Sequence, residues 1–321
     1  MPKILLLRLS SMGDIVHNMP AATDIAAHFP EAEIHWVVEE NFIELPQLHP
    51  AIKRIVPIAL RRWRRRPFDA GYRAEMRRFR DTLQAERYDL AIDSQGLIKS
   101  ALVGRLSGAT VAGFDRHSAR DPFASLFYHR RFDISRELHV IVRNRLIAGR
   151  ALGYEPEGPL DFGLQPPPLE LPWRPASPYA VFLTATSRDA KLWPEADWIS
   201  LGRVLASRGL RCVLPWGSPP ERERAERIAQ VVPDAVVAPR FNLTEAAVLL
   251  AGAEVAVGVD TGLMHLAGAV ATPTVAIFCD SPPQLAGVRS SAYAVSLGGI
   301  GTPPRLAEVE AATLAGLESR A

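Results

Sequence analysis

The chain is poor in several features that would each mark a definite class. It has two cysteines in 321 residues, Cys212 and Cys279, too few for a disulfide framework. Each sits in or beside an apolar, strand-like run, so two buried thiols in a reducing compartment are expected. No apolar run approaches the roughly 20 residues that a bilayer-spanning helix needs. Met1-Pro2-Lys3 runs straight into a short apolar strand, so no secretory leader is expected. The formal net charge of +2 offers no global polyelectrolyte attraction to nucleic acid, and no RNA-binding module signature occurs. No Gly-x-Gly-x-x-Gly follows the first strand, which disfavours a dinucleotide oxidoreductase. No Asp-x-Asp pair or His/Cys cluster stands at the motifs described below, so neither a metal nor a cofactor is required. A protein that is free in the cytoplasm or lies on a membrane surface is the expectation.

The composition, 48% hydrophobic and 22% charged, is that of a folded globular protein. Its length suits two domains, each with its own core. Strand-like and helix-like runs alternate throughout, the signature of parallel sheets covered by helices. The first half predicts strands at Ile4–Leu7, Glu33–Val38, Arg54–Pro57, Leu90–Asp93 and Thr110–Gly113. It predicts helices at Ile15–His28, Ala74–Ala85, Leu97–Leu106 and Ser135–Leu152. The proline-rich stretch 166–172 reads as a stiff linker between domains 1–165 and 173–321. The second half repeats the pattern, with strands at Tyr179–Thr184, Cys212–Pro215, Glu254–Val257 and Thr274–Phe278. Its helices are expected at Glu195–Arg208, Glu221–Val231, Asn242–Leu250 and Leu263–Ala269. A last helix, Arg305–Arg320, is free to fold back onto the first domain. The fold class is α/β, two doubly wound Rossmann-like domains, whose strand carboxyl ends would face a central cleft.

Five constellations carry chemistry. Ser10-Ser11-Met12-Gly13-Asp14 follows the first strand and precedes a helix, the corner where open α/β sheets bind ligands. It brings one carboxylate, Asp14, and no phosphate-cradling glycines, so it suits a base better than a nucleotide clamp. The loop Thr184 to Pro194 holds Thr186, Ser187 and Lys191, hydroxyls and a cation that suit a diphosphate. An ordinary exposed loop with a surface lysine would read the same. Asp260-Thr261-Gly262 ends a strand and opens a helix, whose start can hold a phosphate. Asp260 itself suits sugar hydroxyls. His265, a turn later, reads either as a group facing the ligand or as a packed core histidine. Glu221, at a helix start after Trp216-Gly217, reads as a dipole-complementing carboxylate or as an acceptor for ribose hydroxyls. The run Arg61-Arg62-Trp63-Arg64-Arg65-Arg66, with Arg77, Arg78, Arg80, Arg116, Arg120, Arg130 and Arg131, makes the first domain locally basic. Such a patch suits a polyanionic partner at a membrane surface as well as RNA.

Taken together, Ser-Ser-Met-Gly-Asp-Ile-Val-His, Asp93-Ser94-Gln95-Gly96-Leu97-Ile98-Lys99-Ser100, the Thr-Ser-Arg-Asp-x-Lys-x-Trp-Pro loop and Asp-Thr-Gly-Leu-x-His resemble glycosyltransferase family 9, the bacterial heptosyltransferases. The basic run and Ala119–Tyr128 belong to the likeness, which extends from Lys3 to about Phe278 and is strongest to the branch that uses Kdo as acceptor. The resemblance implies a GT-B fold with the acceptor on the N-terminal domain and the nucleotide sugar on the C-terminal one. It implies inverting transfer of L-glycero-D-manno-heptose from ADP-heptose to the first Kdo of Kdo2-lipid A. It also implies a place on the cytoplasmic face of the inner membrane and no nucleic-acid partner. By motif, Asp14 is the base; Thr186, Ser187 and Lys191 hold the diphosphate; Glu221 binds ribose. Asp260 contacts heptose, Thr261 and Gly262 contact phosphate, and His265 sits beside them. Adenine falls near Phe241, largely against main chain, so the residues alone do not rank ADP over UDP. Ser10, Arg61, Arg62, Arg64, Arg65 and Arg120 are the expected acceptor contacts. A nucleoside diphosphate leaves without protonation, so one base and one cationic clamp suffice where a glycosidase needs two carboxylates. The competing expectations are a later-acting enzyme of the same family and a non-catalytic protein that binds nucleotide sugar or polyanions.

Overall fold

The computed structural model describes residues 1–65, 69–186 and 188–320. The chain divides into two compact units, Met1–Leu164 and Gln165–Ala321, so the proline-rich stretch goes with the second unit.

The first unit is a six-stranded sheet of β1 Lys3–Leu7, β2 Glu33–Glu39, β3 Ile52–Ile58, β4 Leu90–Asp93, β5 Thr110–Phe114 and β6 Arg130–Phe132. Its order is β3-β2-β1-β4-β5-β6, and every pairing is parallel. The central strands carry nearly continuous apolar runs because helices cover both faces. Ile4, Leu5 and Leu7 are wholly buried, with Trp36, Val37 and Ala91. The helical run expected as one piece at Ile15–His28 is two helices, Met12–Val16 and Met19–His28. Pro20 is the reason. It has no N–H to give to a preceding turn, so it sits in the first turn of a new helix with Asn18 as cap. The short edge strand β6 had no sequence signal, since two of its three residues are arginine.

The second unit comprises β7 Tyr179–Leu183, β8 Arg211–Leu214, β9 Val236–Val237, β10 Val255–Val259, β11 Thr274–Phe278 and β12 Ala294–Gly298, in the order β12-β11-β10-β7-β8-β9. Counted from its own first strand, this is the arrangement of the first sheet again. Helix Leu306–Glu318 lies against β10, β11 and β12. Sequence left it free to return to the first unit, but its apolar stripe is used here. Val309 is fully buried in the core around Trp193, Trp198 and Val257, and Leu306, Ala312 and Leu317 pack beside it. Cys212 and Cys279 are buried free thiols, and burial pushes the Cys212 thiol up to about 12.

In a doubly wound sheet, ligands bind where the strand order reverses, at the carboxyl ends of the two strands that flank the reversal. Those strands are β1 and β4 in the first unit, with Leu7 opposite Asp93, and β7 and β10 in the second, with Leu183 opposite Gly258. Four of the motifs thus fall at two switch points. Ser10–Asp14 and Asp93–Ser100 flank one, and Thr184–Lys191 and Asp260–Gly262 flank the other.

Candidate active site

At the first switch point the chain leaves β1 through Arg8 and enters helix Met12–Val16, in which Asp14 is the third residue. The Asp14 carboxylate accepts from the Ser11 N–H at 3.0 Å, from the Ser11 hydroxyl at 3.1 Å and from Arg8 Nη2 at 2.8 Å. Burial alone would raise its pKa. The Arg8 charge, the Ser11 amide, the nearby Arg120 charge and the Ser11 hydroxyl outweigh it and hold the carboxyl below its usual range. Asp14 is therefore ionised at neutral pH, with its side chain 25% exposed. Arg8 is itself buried and also donates to the Ser94 carbonyl and, at 3.2 Å, to the Asp14 carbonyl. Sequence reading passed over Arg8. The available signal was a charge set between Leu7 and Leu9, both fully buried.

The neighbouring loop braces this corner. Gln95 accepts the Leu9 N–H at 2.9 Å and donates to the Ser10 carbonyl at 3.1 Å. The buried Asp93 carboxylate takes the N–H groups of Gln95 (2.8 Å) and Gly96 (3.1 Å) and the Tyr128 hydroxyl (2.8 Å). Gly96 has φ +66°, where a side chain would be strained. At Gly113 a Cβ would stand 2.4 Å from the Tyr128 ring, so the absence of a side chain there makes room for the tyrosine.

Around Ser10 and Asp14 the charge is positive. Lys99 Nζ lies 3.4 Å from the Ser10 hydroxyl. Burial pulls the Lys99 pKa down; Glu39 opposes this, and Arg61, Arg64 and Arg120 reinforce it. Three of the predicted acceptor arginines thus act electrostatically on a lysine to which no role had been assigned. Buried Glu39 accepts the Arg61 N–H at 3.1 Å, and the Arg61 guanidinium lies over the Phe42 ring. Arg64 and Arg65 are exposed. Arg62 already has carboxylate partners. It pairs with Glu40 at 3.1 Å and Glu75 at 2.9 Å and lies over Tyr72, so its charge is already matched. Arg66 lies outside the described residues.

At the second switch point the loops after β7 and β10 meet. Lys191 ends the short turn Asp189–Lys191, and its ammonium is ion-paired with the Asp260 carboxylate. The Ser281 hydroxyl donates to the same carboxylate at 2.7 Å, His265 Nε2 lies 3.8 Å from its other oxygen, and the Thr186 hydroxyl donates to the Asp260 carbonyl at 2.9 Å. Burial opposes ionisation of Asp260, but His265, Lys191 and Ser281 together hold its pKa far below the usual range. Lys191 is therefore not an exposed surface lysine; its side chain is 15% exposed and Asp260 orients it. His265 is 7% exposed under the helix start and stands beside Asp260. Thr261 holds the N-cap position of helix Gly262–Ala269, and its carbonyl accepts the Met264 N–H at 3.1 Å. Ser187 lies outside the described residues. Ser281 carried no sequence signal, because it comes from the loop after β11.

Glu221, third residue of helix Pro219–Ala229, holds the Gly217 N–H at 2.7 Å through one carboxylate oxygen. Phe241 stacks on Trp173, with ring centroids 5.7 Å apart and planes 13° from parallel. Trp173 went unnoticed in the sequence because it lies nearly seventy positions away from its partner.

Residues 76–313 match the model of glycosyltransferase family 9 (heptosyltransferase), past the point where the motif likeness fades. The chain is 44% identical over 287 residues to lipopolysaccharide heptosyltransferase 1 of Escherichia coli (strain K12), covering 89% of this chain and 90% of that one. The solved structure of the E. coli heptosyltransferase WaaC with ADP has a TM-score of 0.90 and 38% identity over 98% of this chain and 99% of that one. The structure of WaaC with ADP-2-deoxy-2-fluoro heptose has a TM-score of 0.82 and 38% identity over 99% of this chain and all of that one. With two doubly wound parallel sheets of the GT-B class, and with the motifs at their switch points, the chain belongs to glycosyltransferase family 9, the heptosyltransferases.

Proposed function

We propose that the chain transfers L-glycero-D-manno-heptose from ADP-heptose to the first Kdo of Kdo2-lipid A, with inversion, working as a peripheral protein at the cytoplasmic face of the inner membrane. The observation that carries the reading is the Asp14 carboxylate, held ionised at the first switch point by Arg8 and Ser11. A carboxylate of low pKa is a weak base toward a resting hydroxyl. It takes the proton late, as the acceptor oxygen bonds to the anomeric carbon and the hydroxyl becomes acidic. The bond from that carbon to the ADP oxygen breaks on the opposite face, and configuration inverts. The charge that grows on the departing diphosphate meets Lys191, which Asp260 orients, and the Gly262 amide; Thr186, Ser187 and Thr261 supply hydroxyl groups. Glu221 retains one carboxylate oxygen for the ribose, and the Trp173–Phe241 stack offers an apolar support for adenine. Lys99, Arg61, Arg64, Arg65 and Arg120 suit an acceptor that carries carboxylates and phosphates. Among the described residues no helix is long and apolar enough to cross a membrane, which fits attachment from one side.

The test pairs two assays. Purified protein is given ADP-heptose with Kdo2-lipid A and, in parallel, with an already heptosylated core acceptor, and Asp14→Asn is run beside it. Transfer to the Kdo acceptor, lost in Asp14→Asn while ADP still binds, is the expected result. Preference for the heptosylated acceptor would place the chain at a later step, and near-normal turnover of Asp14→Asn would remove Asp14 as the base.

A further inference from the structure

The segment between β5 and β6 carries an apolar surface that the transfer chemistry leaves unused. Pro122–Phe127 forms a tight helical turn, opened by Asp121, whose carboxylate accepts the Phe123 N–H at 3.1 Å. Its inner side is anchored. Ala124 and Ser125 are buried, Asp121 donates its N–H to the Gly96 carbonyl at 2.9 Å, and Tyr128 reaches Asp93. Its outer side is bare, with Phe123 66% and Leu126 68% exposed. Among the described residues, only Met1 and Ile300 are other large apolar side chains more than half exposed. Here two such side chains stand three residues apart on one turn. With Arg116 and Arg131 they line a groove of about 450 Å³, and among the described residues neither arginine has an ion-pair partner. The carboxylate that shares the groove, Asp115, is occupied by the N–H groups of His117 and Ser118 at 3.0 and 2.8 Å.

We propose that this patch docks the chain on an anionic lipid bilayer, with Phe123 and Leu126 entering the interface and Arg116 and Arg131 lying on headgroup phosphates. An exposed aromatic and aliphatic pair beside unmatched guanidinium groups has the complementarity that an anionic membrane surface requires. The apolar groups partition into the acyl boundary, and the cations hold the phosphates. The inference rests on the lipid-linked acceptor proposed above, and the placement of the turn gives it a purpose. Its anchored side is tied to Asp93 and Gly96, beside the corner that carries Asp14, and Arg120, just before the turn, is one of the charges that lower the Asp14 pKa. Seating the outer side on a bilayer would hold the acceptor corner at the surface where a lipid-linked sugar emerges.

The test is co-sedimentation of the full chain with vesicles of phosphatidylethanolamine and phosphatidylglycerol, beside vesicles of phosphatidylcholine alone. The parent protein should bind the anionic vesicles. The double variant Phe123→Ser/Leu126→Ser, altered only at exposed positions, should bind at least about tenfold more weakly. Arg116→Ser/Arg131→Ser should lose the preference for anionic over neutral vesicles. Both variants should turn over a deacylated, water-soluble Kdo acceptor as the parent does. Absence of vesicle binding by the parent, or equal binding by the Phe123/Leu126 variant, overturns the docking proposal and leaves the transfer reading standing if the soluble acceptor is used. Vesicle binding that depends on the patch, with no transfer to any Kdo acceptor, overturns the transfer reading and leaves the docking surface in place.

Discussion

Lys191 and Asp260 form a direct ion pair between loops that leave two neighbouring strands, β7 and β10. Both side chains are mostly buried, 15% and 18% exposed, so the pair is less screened by solvent than a surface bridge. The carboxylate also receives Ser281 and faces His265. One acidic residue thereby sets the position of the cation that the proposed chemistry needs, and the two cannot be varied independently.

Lys191→Ala should lower kcat by about 10²–10³, the usual cost of removing an electrostatic stabiliser. It should also weaken ADP binding, measured by calorimetry. Asp260→Asn keeps the shape of the side chain but releases the lysine. A smaller fall in kcat, with Lys191 retained, is the expected outcome. A rate equal to the parent's would show that Lys191 needs no orientation.

Asp14→Asn should reduce transfer by about 10²–10⁴ while ADP binds as in the parent, since the groups assigned to the nucleotide lie in the other unit. Steady-state kinetics and an ADP titration check both halves.

Arg8→Met tests how the base is kept ionised. The Asp14 pKa is depressed in the fold, so the acid limb of the kcat/KM–pH profile should lie below the ordinary carboxylate range of about 3.9. Without Arg8 that limb should move to higher pH, and Arg8→Lys, which restores a positive charge, should move it part of the way back. The sign for stability follows linkage. A depressed carboxyl pKa contributes stability above the unfolded value, and that contribution is lost as pH falls through the folded value. Asp260, also depressed, adds in the same direction, so denaturant midpoints should fall below about pH 4.

Tyr128→Phe removes the hydroxyl that donates to buried Asp93 at 2.8 Å. Burial already pushes the Asp93 pKa up, against the bonds from Ser100, Tyr128 and the Gly96 and Gln95 amides. Leaving its oxygen without the tyrosine should cost about 1–3 kcal/mol, read from urea unfolding.

Trp173→Ala takes away the ring stacked on Phe241. Aromatic pairs contribute about 0.5–1.5 kcal/mol beyond buried area, so stability should fall by about that much in urea unfolding, and ADP binding should weaken with kcat at saturating donor little changed.

Much of this molecule is written in local pattern. Continuous apolar runs predicted the central strands within a residue or two, because a parallel strand buried on both faces leaves no polar position to blur the signal. Edges were harder to read. β6 is mostly arginine, and β12 has no fully buried residue. Pro20 could have divided the first helix on paper, but the apolar period of Ile15–His28 masked the break.

The residue types of the site, and the loops that hold them, were determined by the sequence itself. Asp260, Thr261 and Gly262 stand directly after the apolar strand β10, and Asp14 and Lys191 lie in the segments that follow β1 and β7, so chain connectivity alone puts them near strand ends. Only the tertiary structure decided which charges meet. Parallel pairing sets β1 beside β4 and β7 beside β10 across long crossovers, and no local period encodes that adjacency. For this reason Lys191 meets Asp260; Arg8 and Asp14, six residues apart, meet within one turn of the chain, and Arg62 is drawn to Glu40 and Glu75 while Arg61, Arg64 and Arg120 act on Lys99. Electrostatic energy falls with distance and grows with burial, and both of those quantities belong to the folded chain.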